Sequence, residues 1–341
     1  MKNNKLVSII ITSYNSEEFI SKSINSILLQ TYQNFEIIIV DDCSTDNTVE
    51  VVSELNDIRI KLVVNEYNLG YLHNFNKALK YASGEFITFL DSDDYISEFK
   101  LENQIRALED NNWHFCGTQF IKTNRHGRVI GKSNLPLSLI DIRKAISSGE
   151  LPACGSSIMV RKEVIDKIGG YRDFFLGCPG EDIDWLSRIT DHFYGGNIKS
   201  FDYYYRFHTE ALTRNIHKSV KARHINEIIG FLQSERENFL IDSIDTNNQT
   251  NHFSDFLKKL EQPYKDDSQL MNRKVCFDYA TKKEYLLSIK CFLRIVKYDR
   301  FHYFKKNSLL FFYVFILFVF PHDFLLRIMN LFRVKNVSRK I

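Results

Sequence analysis

Three carboxylates, Asp91, Asp93 and Asp94, follow directly on the apolar run Phe86 to Leu90. Carboxylates so close together resist joint ionisation unless a cation or abundant water lies between them, and hard divalent cations take oxygen ligands. The spacing of Asp91 and Asp93 therefore points to a divalent metal. A solvated acidic turn capping the next helix is the other reading. A second acidic pair, Asp41-Asp42, ends the apolar run Phe35 to Val40, and a third group, Glu181, Asp182 and Asp184, follows Gly180. Acids in a first helical turn ordinarily complement the helix dipole, so the third group alone says little about chemistry.

The elements that must position these acids alternate. Val7 to Thr12 reads as a strand, Glu17 to Gln30 as a helix with Phe19, Ile20, Ile24, Ile27 and Leu28 on one face, and Phe35 to Val40 as a buried strand. Ser44 to Asp46 offers capping side chains for a helix to about Leu55. A strand over Arg59 to Val64, a helix over Tyr71 to Tyr81 and a strand over Phe86 to Leu90 complete the pattern. It predicts an α/β fold, a mostly parallel sheet with flanking helices. Strand ends of a parallel sheet share one edge, so Asp41-Asp42 and Asp91 to Asp94 should face one crevice. Further along come a helix from Glu98 to Asn111, a strand from Trp113 to Phe120, a hairpin or loop at His126-Gly127, and a strand from Ile158 to Val160. Neither G-x-G-x-x-G after the first strand nor a P-loop is present. A metal bridging phosphates to carboxylates is the route left for phosphate binding.

The 341 residues suffice for more than one structural unit. A formal net charge of +3 gives no electrostatic case for nucleic acid. Six cysteines without C-x-x-C spacing read as free thiols of a reducing compartment rather than a zinc site. No secretory signal is read at the N-terminus, so the bulk of the protein is expected in the cytosol.

The order VSIIITSYN, FEIIIVDDCSTDNT, Asn68-Leu69-Gly70 and SGEFITFLDSDD resembles the family 2 glycosyltransferases, whose catalytic domain has the Rossmann-like GT-A fold. The resemblance covers roughly the first two thirds of the chain. It implies that Thr12, Tyr14 and Asn15 lie under a nucleotide base, Glu17 near the ribose, and that Asp41 accepts from the base N–H. It adds Asn68, Asp91 and Ser92 to the nucleotide site and gives Asp93, with Asp91 and His208, to Mn²⁺ or Mg²⁺. Asp42 fits a helix cap as well as a ligand contact. Cys154, Gly155 and Ser156, with Arg206, would line the donor and acceptor pocket; a plain loop into a strand accounts for Cys154 to Ser156 equally from sequence. Asp182 would be the catalytic base, supported by Glu181, whereas Asp184 reads as structural. Alternation places Arg206 and His208 on one strand face, against a diphosphate or as a surface pair. The position of Phe75, Arg in many relatives, departs from the family pattern.

The implied reaction is an inverting, metal-dependent transfer from a nucleotide sugar, with UDP expected, to a hydroxyl of a glycan or polyprenyl-linked acceptor in bacterial surface polysaccharide synthesis. A nucleotidyltransferase and a phospho-receiver module are the competing readings.

Past residue 215 the sequence becomes helical, with Lys218 to Leu240, Asn251 to Leu260 and Tyr279 to Lys297 amphipathic. This predicts a catalytic domain over 1–215, a helical appendage over 216–304 and a distinct segment over 305–341. In that last segment Asn307 to Phe320 is almost wholly apolar, yet shorter than the roughly twenty residues a span needs. With Phe324 to Phe332 and the surrounding Arg327, Arg333, Lys335, Arg339 and Lys340, it predicts an anchor on the cytoplasmic face of the cell membrane. A core or dimer helix with a basic tail is the alternative.

Overall fold

The structure, a computed structural model, describes residues 5–208, 219–245, 251–282 and 284–299. The chain divides into two compact units: Met1–Ala211 with Ile225–Thr246, and Leu212–His224 with Asn247–Ile341. Residues 225–246, expected in the helical appendage, thus belong with the first unit.

The first unit contains strands β1 (Val7–Ser13), β2 (Phe35–Asp41), β3 (Ile60–Val64), β4 (Phe86–Phe89), β5 (Tyr95–Ile96), β6 (Phe115–Asn124), β7 (Val129–Lys132), β8 (Met159–Arg161) and β9 (Gly195–Phe207). Its helices are α1 (Ile20–Leu28), α2 (Thr48–Ser53), α3 (Tyr71–Leu79), α4 (Lys100–Asp110), α5 (Leu139–Ser148), α6 (Lys162–Ile168) and α7 (Glu181–His192). The second unit supplies α8 (Val220–Arg223), α9 (Ile225–Phe239) returns to the first, and α10 (Asn251–Asp266), α11 (Leu270–Thr281) and α12 (Tyr285–Asp299) complete the second.

The sheet order is β3-β2-β1-β4-β8-β6-β9-β5, with β7 paired to β6. β3, β2, β1 and β4 run parallel, so the ends of β1, β2 and β4 open on one edge, as the alternation predicts. Beyond β4 the sheet is mixed: β8 is antiparallel to both β4 and β6, and β5 is antiparallel to β9. The parallel pairing expected from the alternation thus covers the first four strands and recurs between β6 and β9. The three-residue β8 enters from a loop rather than through a crossover helix, which frees its direction.

The β-branched runs of β1 and β2 are buried on both faces, as strands covered by helices must be. Ile20, Ile24 and Ile27 of α1 join Leu101 and Leu108 of α4 against Ile9, Ile11 and Ile37. β6 and β7 form the hairpin expected near His126-Gly127. α5 begins on Ser138, whose Oγ accepts from the Asp141 N–H at 3.2 Å.

Among the described residues no helix is long and apolar enough to cross a membrane. The expected anchor over 305–341 lies outside the described residues.

Candidate active site

β4 delivers Asp91, Asp93 and Asp94 to the sheet edge, and each offers an oxygen within 4.8 Å of the others. Their surroundings differ. Asp94 is 1% exposed, and its carboxylate accepts from the Tyr203 hydroxyl at 2.7 Å and from the Arg206 backbone N–H at 2.6 Å. Both oxygens are thus engaged in tying the acidic turn to β9. Asp91 accepts from Ser156 Oγ at 2.7 Å; burial first, then the charge of Asp93, pushes its carboxyl up to about 7. Asp93 Oδ2 lies 2.8 Å from His208 Nε2. A half-buried cluster of acids that disfavour joint ionisation is what a divalent cation relieves. Asp91 and Asp93 provide oxygen donors with an imidazole nitrogen alongside, so the residues present fit Mn²⁺ or Mg²⁺.

α7 presents the second acidic group. Gly180 precedes it at φ 93°, a left-handed conformation suited to glycine, and a side chain there would also meet Ile225 and Ile229 of α9. Asp182 accepts from the Ile183 N–H at 2.8 Å, and burial raises its carboxyl. Glu181 Oε2 is buried with no hydrogen-bond partner, and burial together with the Asp182 charge lifts this carboxyl to about 8. The loop that gives Ser156 to Asp91 also reaches Asp182. A Cβ added at Gly155 would fall 2.5 Å from Asp182 Oδ2. Gly155, Ser156, Asp91 and Asp182 therefore share one site, although about ninety residues separate the two acids in the chain.

The turn after β1 closes on the turn after β2. Asn15 Oδ1 accepts from the Thr45 N–H at 2.8 Å, Glu17 Oε2 accepts from the Asn47 N–H at 2.9 Å, and the Ser16 and Ser92 hydroxyls are 2.8 Å apart. Tyr14 is exposed and Thr12 half-buried at this edge. The acids of β2 serve other ends. Asp41 is fully buried and accepts from Ser13 Oγ at 2.9 Å, the Ser44 N–H at 2.8 Å and Ser44 Oγ at 2.6 Å. Its carboxylate holds the turn that follows β2. Asp42 accepts from the Leu69 and Gly70 N–H groups at 2.7 and 2.9 Å, which fixes the Asn68-Leu69-Gly70 turn at the start of α3. It braces this turn without capping either neighbouring helix. Asn68 is exposed, its amide 3.3 Å from the Asp42 carbonyl.

Arg206 and His208 are both buried beside the acidic turn, so they are not a surface pair. The Arg206 guanidinium lies 4.6 Å from the Phe19 ring centre and 5.5 Å from that of Tyr95. Cys154 sits in the same loop, its thiol pushed up by burial and by Asp94 and Asp91. Phe75 is 2% exposed and stacks on Tyr171 at 3.7 Å, with Phe89 and Trp185 closing the aromatic cluster. No phosphate contact comes from this position.

Behind α7 lies an ion-pair network. Arg172 grips Asp184 and, at 2.8 and 2.9 Å, both oxygens of Asp242; Arg188 pairs with Asp184, and Arg236 joins Asp242 to Asp191 at 2.5 Å each. Asp184 faces this network and not the site, as its helical offset predicts. Sequence reasoning missed Tyr71, Tyr171 and Tyr203. Burial raises all three phenols; the charges of Asp91, Glu181 and Asp182 add to the shift at Tyr71, and Asp91 and Asp94 add to it at Tyr203. Tyr171 stands in the segment Gly169 to Arg172, eight residues ahead of the acidic motif, which is the one signal that could have drawn attention to it.

The model of "Glycosyl transferase family 2" matches residues 8–169. The Escherichia coli UDP-Glc:alpha-D-GlcNAc-diphosphoundecaprenol beta-1,3-glucosyltransferase WfaP is 33% identical over 235 residues, 68% of this chain and 90% of WfaP. WfgD, of the same description and organism, is 50% identical over 131 residues, 38% of this chain and about half, 51%, of WfgD. S. aureus TarS 1-349 in complex with UDP-GlcNAc superposes with a TM-score of 0.56 at 21% identity, covering 84% of this chain and 87% of that one. This likeness places the fold in the GT-A class. A phospho-receiver and a nucleotidyltransferase are set aside: the chain belongs to glycosyl transferase family 2 and is a glycosyltransferase.

Proposed function

We propose that the chain is an inverting, metal-dependent glycosyltransferase that moves a sugar from a UDP-linked donor to a hydroxyl of a polyprenyl-diphosphate-linked glycan in bacterial surface polysaccharide synthesis, at the cytoplasmic face of the membrane. The carrying observation is the convergence of Asp91 and Asp182 through the Cys154–Ser157 loop. In this reading the two carboxyls that the loop brings together are the proton acceptor and a diphosphate-side acid. The relatives WfaP and WfgD, named for UDP-Glc and for a diphosphoundecaprenol acceptor, support the donor and acceptor classes.

In this reading Asp182 takes the proton of the acceptor hydroxyl as that oxygen bonds to the anomeric carbon. The bond from that carbon to the nucleotide diphosphate breaks on the opposite face, so one displacement inverts the centre. Burial raises the Asp182 carboxyl, which makes it a stronger base than a free aspartate. Asp91 and Asp93, with His208, would hold the divalent ion, which neutralises charge on the departing diphosphate when bound. Tyr14, Asn15 and Glu17 border the nucleotide, Arg206 borders the diphosphate, and Cys154, Gly155 and Ser156 line the sugar. Glu181 supports Asp182 from a position where its own carboxyl stays largely protonated at neutral pH.

Thermal stabilisation by UDP-, GDP- and dTDP-sugars, with and without Mn²⁺, tests the donor class. The expected result is a metal-dependent rise in melting temperature with UDP-sugars. A rise with GDP- or dTDP-sugars alone refutes the UDP assignment.

A further inference from the structure

α12 leaves a face uncovered that the catalytic reading does not use. Leu286, Ile289 and Leu293 stand at helical spacing and are 77%, 41% and 61% exposed. Beside them runs a second exposed stripe, Leu287, Lys290, Arg294 and Lys297. Among the described residues none of these three cations forms an ion pair, and no acidic side chain is described on either stripe. The opposite side of the helix is spent on packing: Ile295 is buried against α11 with Cys276 and Ala280, and Phe292 and Tyr285 flank it. The basic stripe borders a groove of about 770 Å³ whose other wall includes Val275 and Tyr279 of α11.

We propose that this face of α12 docks on an anionic phospholipid surface. Exposed aliphatic side chains flanked by unpaired lysine and arginine are what a helix lying in the headgroup region presents. Aliphatic groups enter the acyl boundary while the cations meet lipid phosphates. Charge selects this occupant over the others. A second copy docking through the same face would set cation against cation. The chain's own segment beyond residue 304 carries Lys305, Lys306, Arg327, Arg333, Lys335, Arg339 and Lys340 against the single acid Asp323. It would bring like charge to a basic stripe. The proposal extends the membrane-side acceptor of the proposed function to a surface of this chain that would hold the enzyme beside it.

The test is flotation of the full chain with phosphatidylcholine vesicles, with and without phosphatidylglycerol, in the absence of donor and acceptor. Wild type is expected to float with the anionic vesicles and to detach as salt rises. The triple variant Lys290→Ala, Arg294→Ala and Lys297→Ala should lower affinity for them roughly hundredfold. The pair Leu286→Gln and Leu293→Gln should also weaken it. Every side chain changed is on the surface, and an unaltered melting temperature shows that the variants fold. Residues 305–341 stay in all variants, so a loss reports on α12. Unchanged flotation of both variants overturns the proposal, as does a wild type that ignores anionic vesicles or a variant whose only change is dissociation of a dimer seen by sedimentation. Because the vesicles carry no sugar, these failures leave the transfer reaction to its own test.

Discussion

Gly155 lies so close to Asp182 that a methyl group on its Cα would stand 2.5 Å from Oδ2 and 2.8 Å from Cβ of the aspartate. Its backbone conformation is open to other residues, so space alone demands glycine here. Gly155→Ala must push the carboxylate aside, and a shift of about 1 Å in a reacting group costs roughly a hundredfold in rate. The expected outcome is a kcat lower by about that factor with the melting shift produced by UDP unchanged. Steady-state kinetics beside thermal denaturation checks it.

Arg172 bridges Asp184 of α7 and Asp242, which follows α9. Removing it leaves two buried carboxylates with fewer cations, and breaking a buried pair from one side costs about 3–5 kcal/mol. Arg172→Ala should lose stability of this order in urea titration. Arg172→Lys should recover only part, because an ammonium cannot present the planar fork that meets both acids.

The raised carboxyl of Glu181 makes stability depend on pH. Free in the unfolded chain it ionises near 4.5, whereas in the folded protein it keeps its proton to about 8. Between these values the folded state binds more protons, so stability present below about 4.5 is lost as pH rises through 8. Asp91 and Asp182 act in the same direction. Lys100, fully buried and lowered from 10.5 to about 8, adds stability as pH climbs beyond 8. The melting temperature without ligand should therefore fall from about pH 5 to about pH 8 and level or recover above. Glu181→Gln should flatten the fall, and differential scanning fluorimetry across the range reads both.

The sequence shows the parallel half of the fold because β1, β2 and β4 are short, predominantly apolar and β-branched runs that no helix period explains. It shows the acidic turn of β4 for the same reason: three charges after such a run have to sit at an edge. It does not separate Asp41 from Asp42. Adjacent identical residues point to opposite sides of a strand end, and only the closed turns reveal that one binds Ser13 and Ser44 while the other binds the Leu69 and Gly70 N–H groups. Nor does it pair Arg172 with Asp242, since 70 positions of chain separate them and neither lies in a periodic pattern. β5, two residues long, carries no pattern at all. The return of α9 to the first unit follows from Ile225 and Ile229 packing over Gly180, a contact no local signal announces.

The central claim is that Asp182 removes the acceptor proton while other residues bind the nucleotide. Asp182→Asn keeps shape and removes basicity. With a UDP-sugar and a polyprenyl-diphosphate acceptor, transfer by this variant should fall by at least about a hundredfold, while metal-dependent UDP affinity stays within a few-fold of wild type. Transfer at the wild-type rate, or loss of UDP binding in step with activity, contradicts the account.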